Sequence, residues 1–172
     1  MRKIILQVAV SLDGLIEGPN GEFDWCFTDQ DYGMNDFLQQ IDALFIGRKT
    51  YELMLRMEDA ATKDLLKTKK YLFSTTLKET SDDAVLISTD IEQQVEKIKK
   101  EKGKDIWLFG GGSLTSSLMN LKLVDEIWLA VHPIILGGGK PLFNNIEERV
   151  RLKLLDNKSY STGLVFLKYS IE

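Results

Sequence analysis

The sequence is poor in the residues that staple, chelate and relay. It holds one cysteine, Cys26, and one histidine, His132, in 172 residues. A lone cysteine excludes an internal disulfide and fits a reducing compartment. A structural zinc site needs four Cys/His-type ligands, and no such cluster exists, so no metal is expected. A Cys–His nucleophilic pair would have to be Cys26 with His132, and nothing in the sequence draws them together. Cys26 therefore reads as an ordinary, partly buried thiol. No apolar run approaches the ~20 residues of a membrane span. The apolar start, MRKIILQVAV, breaks at Ser11-Leu12-Asp13-Gly14 without the pattern of a cleaved leader. Net charge is −4 with both signs interspersed, so no basic face recommends a nucleic acid or an anionic membrane. These absences predict a cytoplasmic protein.

What is present is an ordinary core composition, 44% apolar and 28% charged, with no repeats and no proline- or serine-rich linker. One domain over 1–172 is expected. Short, apolar, β-branched or aromatic runs predict strands at Lys3–Val10, Ala43–Gly47, Lys70–Ser74, Ala84–Ile87, Asp105–Phe109 and Glu126–Val131. They are nearly continuous in apolar residues, which suggests burial on both faces. Two more alternating runs, Val150–Asp156 and Gly163–Ile171, predict an antiparallel pair at a sheet edge. Helices are expected at Asp31–Ile41, Thr50–Met57, Asp90–Lys102 and Ser113–Lys122. The third has Ile91, Val95 and Ile98 on one stripe, Thr89 or Asp90 as cap and Gly103 as terminator. Alternating strands and helices, closed by two strands, predict an α/β fold. It should be three-layered, with a central mixed sheet of about eight strands and helices on both faces.

Chemistry gathers where predicted strands end. After Asp105–Phe109 come Gly110, Gly111 and Gly112, then Ser113 and Leu114 at the start of an amphipathic helix, with Ser113 as a cap. Glycines there let backbone approach a ligand, and the helix start offers free N–H groups to a pyrophosphate. The competing reading is a tight turn with no ligand. The spacing matches neither G-x-G-x-x-G nor a P-loop. At Gly47-Arg48-Lys49-Thr50 a second strand meets a glycine, two cations and a hydroxyl that could cap a helix or bind an anion. A plain solvated basic turn is the alternative. A third junction brings Ser74, Thr75 and Thr76 to a strand end. The first strand ends in Asp13-Gly14, and Phe23 and Trp25 follow as aromatic walls suited to a flat heterocycle; the competing reading of Asp13 is a plain turn-former. Gly137-Gly138-Gly139 precedes Lys-Pro and no helix, so it reads as a bent loop or bulge. Trp107 and Trp128 read as core. Val124-Asp125-Glu126 reads as a solvated strand start, and Lys97, Lys99, Lys100, Lys102 and Lys104 as a solvated helix end.

Four of these motifs in order carry a family resemblance that spans essentially the whole chain. They are Ser11-Leu12-Asp13-Gly14, the stretch Gly47-Arg48-Lys49-Thr50-Tyr51-Glu52, Phe109 to Leu114, and Pro133 to Phe143. Together they resemble the dihydrofolate-reductase family, in its branch related to the reductase domain of the bifunctional riboflavin-biosynthesis deaminase–reductase. No deaminase segment is present. The resemblance implies a dihydrofolate-reductase-like fold, NADPH as cofactor and a homodimer. It implies hydride transfer to a small heterocycle of pterin or 5-amino-6-(5-phosphoribosylamino)uracil type. Gly47, Arg48, Lys49 and Thr50, with Ser74 and Thr75, then match the turns at the adenosine 2′-phosphate and pyrophosphate. Gly110, Gly111, Gly112, Ser113 and Leu114 match the glycine turn, and Asp13, with Phe23 and Trp25, matches the substrate side. Asp13 would anchor a substrate donor group and serve as the catalytic residue. Two cations without an acid for a ribose 2′-OH favour NADPH over NADH. A module that binds NADPH without turnover is the alternative function.

Overall fold

The computed structural model of the chain describes residues 1–80 and 84–172. In chain order the elements are β1 (Ile4–Ser11), β2 (Leu15–Glu17), α1 (Met34–Gln40), β3 (Ile41–Gly47), α2 (Arg48–Met54), α3 (Ala60–Leu65), β4 (Lys69–Phe73) and β5 (Ala84–Ile87). Then follow α4 (Ile91–Lys100), β6 (Asp105–Gly110), α5 (Gly112–Asn120), β7 (Glu126–His132), β8 (Lys140–Pro141), β9 (Leu152–Ser159) and β10 (Val165–Ile171). Eight strands form one sheet in the order β5-β4-β3-β6-β1-β7-β10-β9, and β2 pairs with β8 in a separate ribbon. Every pair from β5 to β7 is parallel, whereas β10 runs antiparallel to both β7 and β9. Crossover helices between parallel strands leave both faces covered, as the continuous apolar runs demand.

The two-residue period of a strand divides the apolar residues between two cores. Ile4, Leu6, Ala43, Phe45, Ile106 and Leu108 face one core, closed by Val95 and Ile98 of α4 and Leu114 and Leu118 of α5. Ile5, Leu44 and Trp107 face the other, under Phe37 of α1. Ile46 and Leu72 extend that side beneath Tyr51 and Met54 of α2. Trp107 and Trp128 are core, as expected. At the far edge β9 is exposed along all eight residues, and β10 is half-buried.

The chemistry of helix starts and charged turns departs from expectation. Ser113 does not cap α5: Gly111 occupies the N-cap and Ser113 lies inside the helix. Likewise Gly47 is the N-cap of α2, which places Thr50 within its first turn. Asp90 is the N-cap of α4, one of the two residues expected there, but at φ 46° it makes no side-chain cap bond. The solvated readings of Lys99, Asp125 and Glu126 also fail. Lys99 is buried and donates to Asp125 at 3.0 Å, and the Asp125 carboxylate accepts the Ile4 N–H at 2.7 Å. Glu126 is buried, accepting from Lys3 at 2.6 Å and from the Trp128 indole at 2.8 Å. A charged side chain tolerates burial when paired and hydrogen-bonded, and the pairing partners here arrive from distant chain segments. Among the described residues no helix is long and apolar enough to cross a membrane.

Candidate active site

Because β5 to β7 run parallel, their carboxyl ends share one edge, where ligands of open α/β sheets bind. A cleft of about 350 Å³ opens there. Gly47, Arg48, Lys49 and Thr50 line it from the end of β3. Ser74, Thr75 and Thr76 line it from β4, and Gly111, Gly112, Ser113 and Leu114 from β6 and α5. Three turns far apart in sequence therefore meet around one space. The approach is close: a Cβ at Gly111 would stand 3.1 Å from the Thr50 hydroxyl oxygen, and one at Gly47 would stand 3.6 Å from the Gly110 carbonyl oxygen. Gly110 closes β6 just behind the cleft with φ 103°, a conformation that glycine alone adopts easily.

The cleft is built for anions. Arg48 is partly neutralised by Glu52, Nη1 to Oε1 at 2.8 Å, across one helical turn. A surface pair of this spacing is worth about 0.3–0.5 kcal/mol, so Glu52 holds Arg48 only weakly. Lys49 is exposed beside it. The Ser74 hydroxyl oxygen accepts the Thr76 and Leu77 N–H groups at 3.2 and 3.1 Å and shares a hydrogen bond with the Thr76 hydroxyl at 3.3 Å, in which either oxygen can donate. Ser113 is exposed at the opening turn of α5, where free N–H groups give a positive dipole end.

Asp13, Phe23 and Trp25 do not line this cleft. They occupy the neighbouring corner, at the ends of β1 and β7. Both Asp13 oxygens are engaged: Oδ1 accepts the Ser11 hydroxyl at 2.6 Å and the Leu136 N–H at 3.2 Å, and Oδ2 accepts the Gly137 N–H at 2.9 Å. These bonds, the Ser11 hydroxyl foremost, hold the carboxyl below its usual range. Trp25 packs edge-on against His132, ring centres 5.3 Å apart, and Phe27 lies 5.0 Å from the same ring. The buried His132 has Nδ1 against the Ala130 carbonyl at 3.0 Å and accepts the Phe27 N–H on Nε2 at 3.1 Å. Those partners require the neutral ring protonated on Nδ1, and burial pushes its pKa down. Cys26 does stand between two residues that touch His132. Burial raises its thiol to about 11, with help from Asp24, and both His132 nitrogens have backbone partners instead. The buried Trp25 Nε1–H has no hydrogen-bond acceptor among the described residues. Phe23 is exposed.

Besides the apolar Phe73, Ile87 and Ile91, sequence reasoning missed one charged residue of the cleft. Lys140 reaches it from β8 and pairs with Glu17 of β2, Nζ to Oε1 at 3.0 Å. This exposed pair is also worth at most about 1 kcal/mol. The triple glycine before it is indeed a bent loop, but one that delivers a cation. The available signal was the Gly-Lys-Pro junction, whose meaning depends on a partner strand 123 residues away.

Similarity to known proteins follows the same lines. YyaP of Bacillus subtilis (strain 168), itself uncharacterised, is 48% identical over 98% of this chain and 94% of its own length. The crystal structure of a putative riboflavin biosynthesis protein from Shewanella sp. PV-4 superposes with a TM-score of 0.85 at 22% identity, covering 100% of this chain and 99% of that one. A dihydrofolate reductase from Enterococcus faecalis complexed with NADP(H) gives a TM-score of 0.69 at 14% identity, over 99% and 96%. The three-layered α/β fold is thus dihydrofolate-reductase-like. A family model described as the RibD C-terminal domain matches residues 2–166, nearly the whole of the sheet and all of the cleft, and the chain belongs to that family.

Proposed function

We propose that this protein is an NADPH-dependent reductase of a small heterocyclic substrate, of pterin or 5-amino-6-(5-phosphoribosylamino)uracil type. The observation that carries the reading is the meeting of Gly47–Thr50, Ser74–Thr76 and Gly111–Leu114 around one cleft. Bare glycine backbone, a helix start, two cations and several hydroxyls suit a dinucleotide's phosphates. Membership of the RibD C-terminal domain family and the shared fold of an NADP(H)-bound reductase support it. Arg48 and Lys49 bind and orient the phosphates, and their charge favours the 2′-phosphate of NADPH over the bare ribose of NADH. Ser74 and Thr75 donate to the same group. Gly110 to Leu114 let the cofactor lie close to the sheet.

When bound, NADPH supplies the hydride; the protein mainly orients the two reactants. The substrate side lies at the ends of β1 and β7. There Trp25, packed on His132, and the exposed Phe23 form aromatic walls for a flat ring, with Asp13 at the mouth. The hydride acceptor is a C=N or C=O carbon, and water completes the reduction with a proton. The exposed apolar residues Val150, Leu152, Leu154 and Leu155, in and before β9, support a homodimer, and the single thiol supports a cytoplasmic enzyme.

The test is cofactor fluorescence with NADPH and NADH, followed by NADPH oxidation across a panel of pterins and aminopyrimidines. The expected result is micromolar NADPH binding, weaker NADH binding and oxidation with at least one panel member. Binding without oxidation across a broad panel would turn the reading into a non-catalytic NADPH module. No binding would end it.

A further inference from the structure

We propose that Lys140 is a third ligand-contacting cation of the cleft, which exchanges Glu17 for an anionic oxygen of the bound dinucleotide at the glycine turn. The inference rests on the NADPH reading above and adds a residue, and a delivery device, to it.

Position comes first. A Cβ at Gly111 would lie 3.6 Å from Lys140 Nζ, and one at Gly112 would lie 3.7 Å from its Cε. The ammonium thus stands over the bare backbone of the glycine turn, whereas Arg48 and Lys49 reach the cleft from the end of β3. An anion seated on that turn meets Lys140 without any movement of the chain.

The loop carrying Lys140 is built to hold it there. Asp13 accepts the N–H groups of Leu136 and Gly137. Just beyond, a Cβ at Gly139 would fall 2.0 Å from the Glu17 carbonyl oxygen, so the two backbones touch with no room for a side chain. Leu142 N–H then donates to the Gly14 carbonyl at 2.9 Å. The segment is tied to the β1–β2 turn before and after Lys140, and to Glu17 of β2 at it. In this arrangement Asp13 is a positioning residue: it acts on the ligand through the loop it braces.

Chemistry supplies the exchange. Lys140 offers three donors, and Glu17, an exposed carboxylate, takes one. A phosphate oxygen is a comparable acceptor, the pyrophosphate as a whole brings two negative charges against Glu17's one, and the exchange leaves Glu17 free to return to water. Glu17 keeps the cation oriented until a ligand comes.

The test uses the whole protein and two ligands, by calorimetry or competition at low and high salt. NADPH carries the pyrophosphate; adenosine 2′-phosphate does not. Lys140→Met is expected to weaken NADPH tenfold or more, to leave adenosine 2′-phosphate within twofold, and to flatten the salt dependence of NADPH binding. Glu17→Gln should bind NADPH at least as tightly as the wild type. Asp13→Asn should weaken NADPH as a fraction of the Lys140→Met effect, and the double variant should be no weaker than Lys140→Met alone. Melting temperatures, expected to be unchanged for Lys140→Met, separate contact from folding. Equal NADPH affinity for Lys140→Met and wild type, or equal losses on both ligands, overturns the proposal and leaves the reductase reading standing. A wild-type protein that binds neither ligand removes both.

Discussion

The two halves of the strand-end edge are built on opposite terms. At the ends of β3, β4 and β6 the polar groups are open: cations hold weak surface partners, hydroxyls line the cleft, and glycine backbone is bare. At the ends of β1 and β7 almost every polar group is satisfied from within. Asp13 is engaged on both oxygens, and His132 on both nitrogens. The contrast teaches which half carries affinity and which carries stability. Changes in the first should move NADPH binding and spare the fold; changes in the second should cost stability and reach NADPH only through the loop that Asp13 braces.

The sharpest attempt to break that division is His132→Ala. It removes a buried ring, two hydrogen bonds and the packing of Trp25 and Phe27, and should cost about 3 kcal/mol of stability in denaturant unfolding. NADPH affinity should stay near the wild-type value. Next, Ser113→Glu puts a negative charge in the first turn of α5, where it suits the helix dipole but opposes a phosphate. NADPH affinity should fall about 100-fold, some 2.7 kcal/mol, with the melting temperature unchanged or higher. If stability falls instead, the open half is not open. Arg48→Met comes third. It should weaken NADPH about tenfold and NADH much less, and the ratio of the two affinities is the measurement.

The smallest effect is in pH. His132 is held below its ordinary 6.5 by burial, so as pH falls under 6.5 the unfolded chain takes up a proton that the folded ring resists. Stability should be flat above that point and decline below it, by no more than about 1.4 kcal/mol per pH unit from this group. His132→Gln should abolish that part of the slope.

How much was legible in the sequence divides along the same edge. Each open turn is local, a strand running into glycine and then a helix, so Gly47–Thr50 and Gly110–Leu114 could be read from a dozen residues apiece. The two-core sheet was legible too, because side-chain alternation in β1, β3 and β6 is a property of short runs. Lys140 was not, since only the β2–β8 ribbon gives it a place. Lys99, Asp125 and Glu126 were misread for the same reason: burial of a charge depends on a partner that local pattern does not name. The caps failed by a smaller margin, each helix starting a residue or more before the hydroxyl expected to begin it.

The position of β1 has a cost during synthesis. The strand sits at the heart of the sheet, yet its neighbours are β6 and β7, with Ile4 paired to Ile106 and Ile5 to Glu126. At roughly 5–20 residues per second, a ribosome needs roughly 5–20 s to deliver the first of them. For that interval an apolar strand with two unsatisfied edges waits in the nascent chain. Chaperone dependence and inclusion-body formation on rapid expression should therefore track the first ten residues more closely than any part of the cleft.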